Sequence, residues 1–230
     1  MDNNYQVLGR NTEVLSDTSN KVLRNTYALL GMTMIPTVIG AFIGISLDLS
    51  FMAQHPIMAM VGMLVVMFGL IMGIKTNSNS SIGVLLLLVF TFFMGVMLGP
   101  ILQVALHLRN GGQLIGMAAG GTGIIFLTLA GIATTTKKDF SFMGKFLMVG
   151  IIMLIVASLA NMFFQIPAFQ LALSGVAVLL FSGFILYDVS RIVNGGETNY
   201  IMATLSIYLD IYNLFVNLLQ ILMAVFGDRD

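Results

Sequence analysis

Hydrophobic positions in this 230-residue chain fall into seven long runs separated by short polar breaks. The runs lie at about 25–47, 51–74, 81–106, 113–134, 145–165, 167–190 and 200–226. Each reaches the roughly 20 apolar residues that a helix needs to cross the hydrocarbon core of a bilayer. The breaks are turn or charge clusters: LDLS (47–50), KTNSNSS (75–81), LRNGG (108–112), TTTKKDFS (134–141) and NGGETN (194–199). The join near Gln165–Ile166–Pro167 is shorter still, so the fifth and sixth helices are predicted to be antiparallel neighbours. The pattern predicts an all-α membrane bundle, with one seven-helix domain over 25–230 preceded by a polar, flexible tail at 1–24.

Composition strengthens that reading. Hydrophobic residues make up 58% of the chain and charged residues 9%, against about 25% charged in ordinary soluble domains. A globular fold of this size cannot hide so much apolar surface from water, so lipid must cover it. The formal net charge of zero offers no basic patch for a nucleic acid. With no cysteine there is no disulfide, thiolate nucleophile or Cys-based metal site. The polar, mixed-charge N-terminus is not a signal peptide, which leaves targeting to the first membrane helix.

Lysine and arginine set the orientation. One side of the predicted topology carries Arg10, Lys21, Arg24, Lys75, Lys137, Lys138, Lys145 and Arg191, and the other only Arg109 and Arg229. The basic side is predicted to be cytoplasmic, giving an inside N-terminus and an outside C-terminus.

Most of the unusual residues have plain structural readings. Gly112, Gly116 and Gly120 recur every four residues and predict close approach of a neighbouring helix. Pro36 and Pro100 predict kinks, with neighbours satisfying the freed carbonyls. His55 and His107 sit near span ends without a carboxylate at ligand spacing, so no metal or cofactor is expected. The 18 methionines supply adaptable packing.

Two aspartates are harder to explain as packing. Asp188 follows a run from Ala168 to Tyr187 that contains no charge, and Asp210 interrupts SIYLDIYNLF. On a helix, Ser206, Asp210, Asn213, Asn217 and Gln220 share an arc of about 80°. A mid-membrane carboxylate facing lipid costs at least about 2.5–3.5 kcal/mol, so this stripe must face the bundle interior or a water-filled cavity. Asp188 and Asp210 are expected at similar depth on antiparallel helices. Two carboxylates brought close in a low-dielectric interior cannot both ionise cheaply, so such a pair tends to share a proton. That makes Asp188 and Asp210 candidates for pH sensing or an ion pathway, with Arg191, Ser206, Asn213 and Asn217 in support. The structural alternative pairs Asp188 with Arg191 at i+3 and leaves Asp210 bonded to Asn and Tyr neighbours. An intramembrane aspartyl protease is disfavoured. Tyr187–Asp188 matches half of that signature, but Ile207, Tyr208 and Leu209 stand where glycines are needed before the second aspartate. Neither Ser174 nor Ser182 lies in a serine-hydrolase setting, and no enzyme activity is expected.

The sequence also resembles a known family. LYDVSRIV (186–193) followed by SIYLDIYNLF (206–215) resembles the Bax inhibitor 1 family of seven-helix membrane proteins. VLRNTYALL (22–30), GPIL (99–102), TTKKDFSFMG (135–144) and GGETNYI (195–201) are similar to its bacterial branch, which modulates the membrane-anchored protease FtsH. The resemblance implies a bacterial inner-membrane protein with a central seventh helix and an FtsH-type protease complex as partner. It also implies that Asp188 and Asp210 correspond to paired aspartates proposed as the pH sensor of a calcium leak, with calcium or protons as ligands. Channel-like relatives carry an arginine in the second helix that latches onto the aspartates, and the stretch 52–73 has none. A pH-gated cation leak channel or a secondary transporter without a protease role is the alternative. The transporter reading lacks paired half-repeats with broken helices.

Overall fold

The computed structural model describes residues 2–47, 54–136 and 138–228, with residues 2–17 by backbone only. Its helices are α1 (Asp2–Ser46), α2 (Pro56–Thr76), α3 (Ser81–Met97), α4 (Gly99–Leu106), α5 (Gly111–Thr136), α6 (Met143–Phe164), α7 (Pro167–Val193) and α8 (Tyr200–Phe226). No strand occurs among the described residues. Seven helical stretches are long and apolar enough to cross a membrane, α3 and α4 together supplying one of them, Ser81–Leu106. The fold is therefore the all-α seven-span bundle the hydrophobic runs predicted. The first span takes in Thr18–Ser46, within a helix that reaches back to Asp2. The LDLS turn beyond Leu47, the predicted start of the second helix at 51, the side chain of Arg10, and Lys137 and Arg229 lie outside the described residues.

Local chemistry fixes several ends. α8 starts where it does because the Asn199 side chain accepts hydrogen bonds from the Ile201 and Met202 amides, both at 3.0 Å. The same amide group donates to the Ser78 carbonyl at 3.0 Å, tying the start of α8 to the α2–α3 turn. Gly195 allows the preceding turn at φ 75°, a left-handed conformation glycine adopts at no steric cost. The two prolines behave differently. Pro100 marks a real break, with α3 ending at Met97 and α4 restarting at Gly99. Pro36 lies inside an uninterrupted α1. Around it the Thr37 hydroxyl donates to the Thr33 carbonyl at 2.8 Å, satisfying one acceptor in the disturbed turn.

α8 is the hub, packing against α1, α2, α3, α5 and α7. The largest interface joins α1 to α3, and α6 packs on α7 as its antiparallel neighbour. Tyr208, Ile207, Ile201 and Leu205 of α8 join Phe90 and Leu87 of α3 and Leu30 of α1 in the main apolar core. Tyr208 is 1% exposed, and a buried phenol needs a polar partner. Its hydroxyl donates to the Thr91 carbonyl at 3.3 Å and lies 2.9 Å from the Thr37 hydroxyl, binding three spans at one depth.

The glycine stripe of α5 corrects an expectation. Gly112, Gly116 and Gly120 do not admit a neighbouring helix, since a Cβ built at any of them would meet nothing within 4 Å. The stripe faces away from the helices α5 packs on. Close approach occurs instead where α1 crosses α3. There a Cβ on Gly40 would run into the Phe92 carbonyl oxygen, and one on Gly95 into that of Thr37.

Candidate functional site

α7 and α8 run antiparallel, and each carries one aspartate. Asp210 lies in the third turn of α8, about 15 Å along the helix from its start at Tyr200. It is 6% exposed, and its Oδ2 has no hydrogen-bond partner among the described residues. Asp188 lies in the last two turns of α7, its side chain 12% exposed. The two carboxyl groups are within hydrogen-bonding reach of each other. Ionised carboxylates only accept hydrogen bonds, so a direct bond between them requires a proton on one.

Arg191 lies in the last turn of α7, three residues beyond Asp188. It stands 3.8 Å from Asp188 and 3.6 Å from Glu197, with its guanidinium 5.6 Å from the centre of the Tyr187 ring. Asp188 thus faces a carboxyl on one side and a guanidinium on the other, while the cation is divided between two carboxylates.

The predicted stripe on α8 is only partly a network. Asn213 and Asn217 turn their amides back onto their own helix, donating to the carbonyls of Leu209 and Asn213 at 2.8 Å each. Neither bonds to Asp210. Gln220 joins a separate cluster, where its Oε1 accepts from Ser174 at 2.7 Å and from Gln170 at 3.2 Å. Gln170 in turn accepts from Asn161 at 3.1 Å. Ser206 is half-buried one turn before Asp210. His107 places Nδ1 2.6 Å from the Gln103 carbonyl oxygen. Among the described residues no three His, Asp or Glu side chains come together in metal-binding geometry.

Sequence reasoning missed Ser190. Fully buried two residues beyond Asp188, its hydroxyl donates to the Lys138 carbonyl at 3.1 Å and accepts from the Phe140 amide at 3.0 Å. One side chain therefore fastens the α5–α6 connection to the end of α7. In that connection the Ser141 amide donates to Asp139 at 2.8 Å, and these Ser141 hydrogen bonds hold the Asp139 carboxyl below the usual carboxylate range. Ser190→Ala leaves both backbone groups without that partner and is expected to cost about 1–3 kcal/mol. Loss of protease resistance in the 136–142 connection, at unchanged helix content, checks it. Nothing in residue spacing marks Ser190, because its partners lie some 50 residues away.

The fold and the buried carboxyls define a class: a multi-pass α-helical membrane protein with an acidic pair between its last two spans. The chain matches the family model described as "Inhibitor of apoptosis-promoting Bax1" over residues 19–227. It is 47% identical over 204 residues to a membrane protein of Vibrio cholerae, covering 89% of each chain. It is 42% identical over 219 residues, 95% of each chain, to the Escherichia coli K12 protein named modulator of FtsH protease YccA. An Escherichia coli O6:H1 relative at the same identity and coverage is named inner membrane protein YccA. The chain belongs to the Bax inhibitor 1 family.

Proposed function

We propose that this protein is a non-enzymatic inner-membrane modulator that inhibits an FtsH-type membrane protease. The observation that carries the reading is similarity to a relative named modulator of FtsH protease, 42% identical over 95% of both chains. The architecture is compatible with it, since side chains such as Ser190, Asn199 and Tyr208 are spent on holding helices and turns together. Action by binding requires no more. The test is direct. Overproduced protein should co-purify with FtsH and slow the degradation of its membrane substrates, and failure on both counts removes the reading.

Orientation belongs to the same proposal. With the basic connections inside, the N-terminus is cytoplasmic and the C-terminus periplasmic. Reporter fusions at the two ends should give opposite signals, and equal signals would contradict the seven spans. The cytoplasmic face would then present residues before the first span to a protease on that side.

A second reading rests on Asp188 and Asp210. Their approach within hydrogen-bonding reach supports a pH-sensitive element, and a calcium or cation leak through the bundle is its functional form. Arg191 lies against Asp188, and Ser206, Asn213 and Asn217 extend along the same helix. Calcium flux into liposomes across a pH series separates this reading from pure protease modulation.

A further inference from the structure

The end of α4, the start of α7 and the last turns of α8 frame a cleft of about 680 Å³, a size that suits a small ligand. Gln220 lies six residues before the end of α8, and Gln170 three after the start of α7. At 1.5 Å per residue those are depths of about 9 and 5 Å, where phospholipid headgroups meet their acyl chains. The walls are of two kinds. Val104, Leu171 and Met223 are apolar, while His107, Gln170 and Gln220 are polar. No Lys, Arg, Asp or Glu is among the described residues that line the cleft, and Arg109, two residues beyond His107, is not part of its wall.

Hydrogen bonding fixes what the polar walls offer. The Gln220 Oε1 accepts from Ser174 and from Gln170, and Ser174 is 1% exposed, so the oxygen of this amide is committed to a buried network. Its nitrogen has no hydrogen-bond partner among the described residues, which leaves two N–H donors. Gln170 spends its oxygen on Asn161 and one N–H on Gln220, leaving one donor more. His107 contributes the opposite character. Its Nδ1 faces the Gln103 carbonyl oxygen, which only accepts, so Nδ1 carries the proton and the neutral ring keeps Nε2 as an acceptor. The α7–α8 wall thus donates, the α4 wall accepts, and neither bears a formal charge. The complementary ligand has acceptor oxygens at one point, an N–H donor at another, no net charge and an apolar extension. A phosphodiester joined to a primary ammonium and an acyl chain meets all four conditions. An anionic headgroup finds no cation on these walls, and a quaternary ammonium has no N–H for His107.

We infer that this cleft binds an ethanolamine phospholipid, its phosphate on the Gln220 and Gln170 amides, its ammonium on His107 and a chain along Val104, Leu171 and Met223. The inference is independent of the protease partnership.

The test is native mass spectrometry of the full chain in detergent with equimolar phosphatidylethanolamine, phosphatidylcholine and phosphatidylglycerol of matched chains. The ethanolamine lipid should be retained about tenfold better than the other two, the worth of one charge-assisted hydrogen bond. Gln220→Glu keeps an Oε1 for Ser174 and Gln170 but loses both N–H donors, and should lose that retention. His107→Phe removes the acceptor and should retain the ethanolamine and choline lipids alike. His107 is exposed, so this variant decides the matter even where Gln220→Glu fails to fold. Soluble glycerophosphoethanolamine at equal concentration should not displace the lipid; displacement would make the ligand a free phosphodiester and overturn the lipid assignment. No lipid retained, equal retention of all three by the wild type, or an unchanged preference in either variant also overturns the proposal.

Discussion

Asp188→Asn and Asp210→Asn are each expected to abolish the pH dependence of α7–α8 separation, and the double variant is expected to add little. The reason is the shared position of the two carboxyls. In the pH-sensing reading, two carboxyls within hydrogen-bonding reach would act as one titrating unit, and removing either would end the exchange of a proton between them. Residues coupled in this way show interaction energies of about 0.5–3 kcal/mol in a double-mutant cycle. The measurement is spectroscopic helix separation, with calcium flux in parallel, between about pH 6 and 8 in both single variants and the double. Additive effects that do not depend on pH would reduce the pair to a structural contact. The stability cost of Asp188→Asn itself is expected to be small. Arg191 keeps Glu197 at 3.6 Å and is 33% exposed, so the lost ion pair contributes at most about 1 kcal/mol.

Gly95→Ala should damage the fold far more than its single methyl suggests. The added carbon would collide with the Thr37 carbonyl, with the Thr37 carbonyl carbon and Cα both at 2.9 Å. These obstacles are backbone atoms, so no side-chain rotation relieves them and α1 must move off α3. Overpacking of this kind costs about 1–3 kcal/mol. The displacement also pulls Thr37 away from Tyr208, which sits two residues before Asp210. Gly116→Ala is the control. Its new Cβ meets nothing within 4 Å, and alanine favours a helix interior over glycine by about 1 kcal/mol. Thermal melting in detergent should therefore fall for Gly95→Ala and hold or rise for Gly116→Ala. Equal melting of Gly95→Ala and wild type would contradict the tight crossing.

The contrast between those glycines shows where the sequence is legible. Seven apolar runs locate seven spans, because the bilayer imposes a length that no neighbour can change. Asp188 and Asp210 stand out because a carboxylate in hydrocarbon must be turned inward. The direction of an apolar or glycine face is different. Lipid tails and Leu side chains are equally apolar, so hydropathy does not distinguish a face packed on protein from one facing lipid. That is why Gly112, Gly116 and Gly120 read as an interface, while Gly40 and Gly95 carry one. The stripe on α8 was visible as a pattern. Its internal division was not, because Asn213 and Asn217 spend their amides on carbonyls one turn back. Ser190 was hidden for a further reason: its importance comes from two backbone atoms on a distant connection.

The central position of α8 has a consequence for biogenesis. This helix is the last of the seven to be synthesised, and it is the one on which α1, α2, α3, α5 and α7 converge. The earlier spans are apolar enough to enter the bilayer on their own hydropathy, α2 and α6 with only 6% and 11% of their most apolar windows covered by protein. Contacts such as those of α1 with α3 and of α6 with α7 do not need α8, but the centre of the bundle does. α8 has the lowest mean hydropathy of the seven, 1.7, and carries the aspartate that lipid rejects. Its insertion and the closing of the bundle are therefore one event. A nascent chain stalled before Tyr200 would hold six spans with the interfaces of α1, α2, α3, α5 and α7 on α8 still unmade.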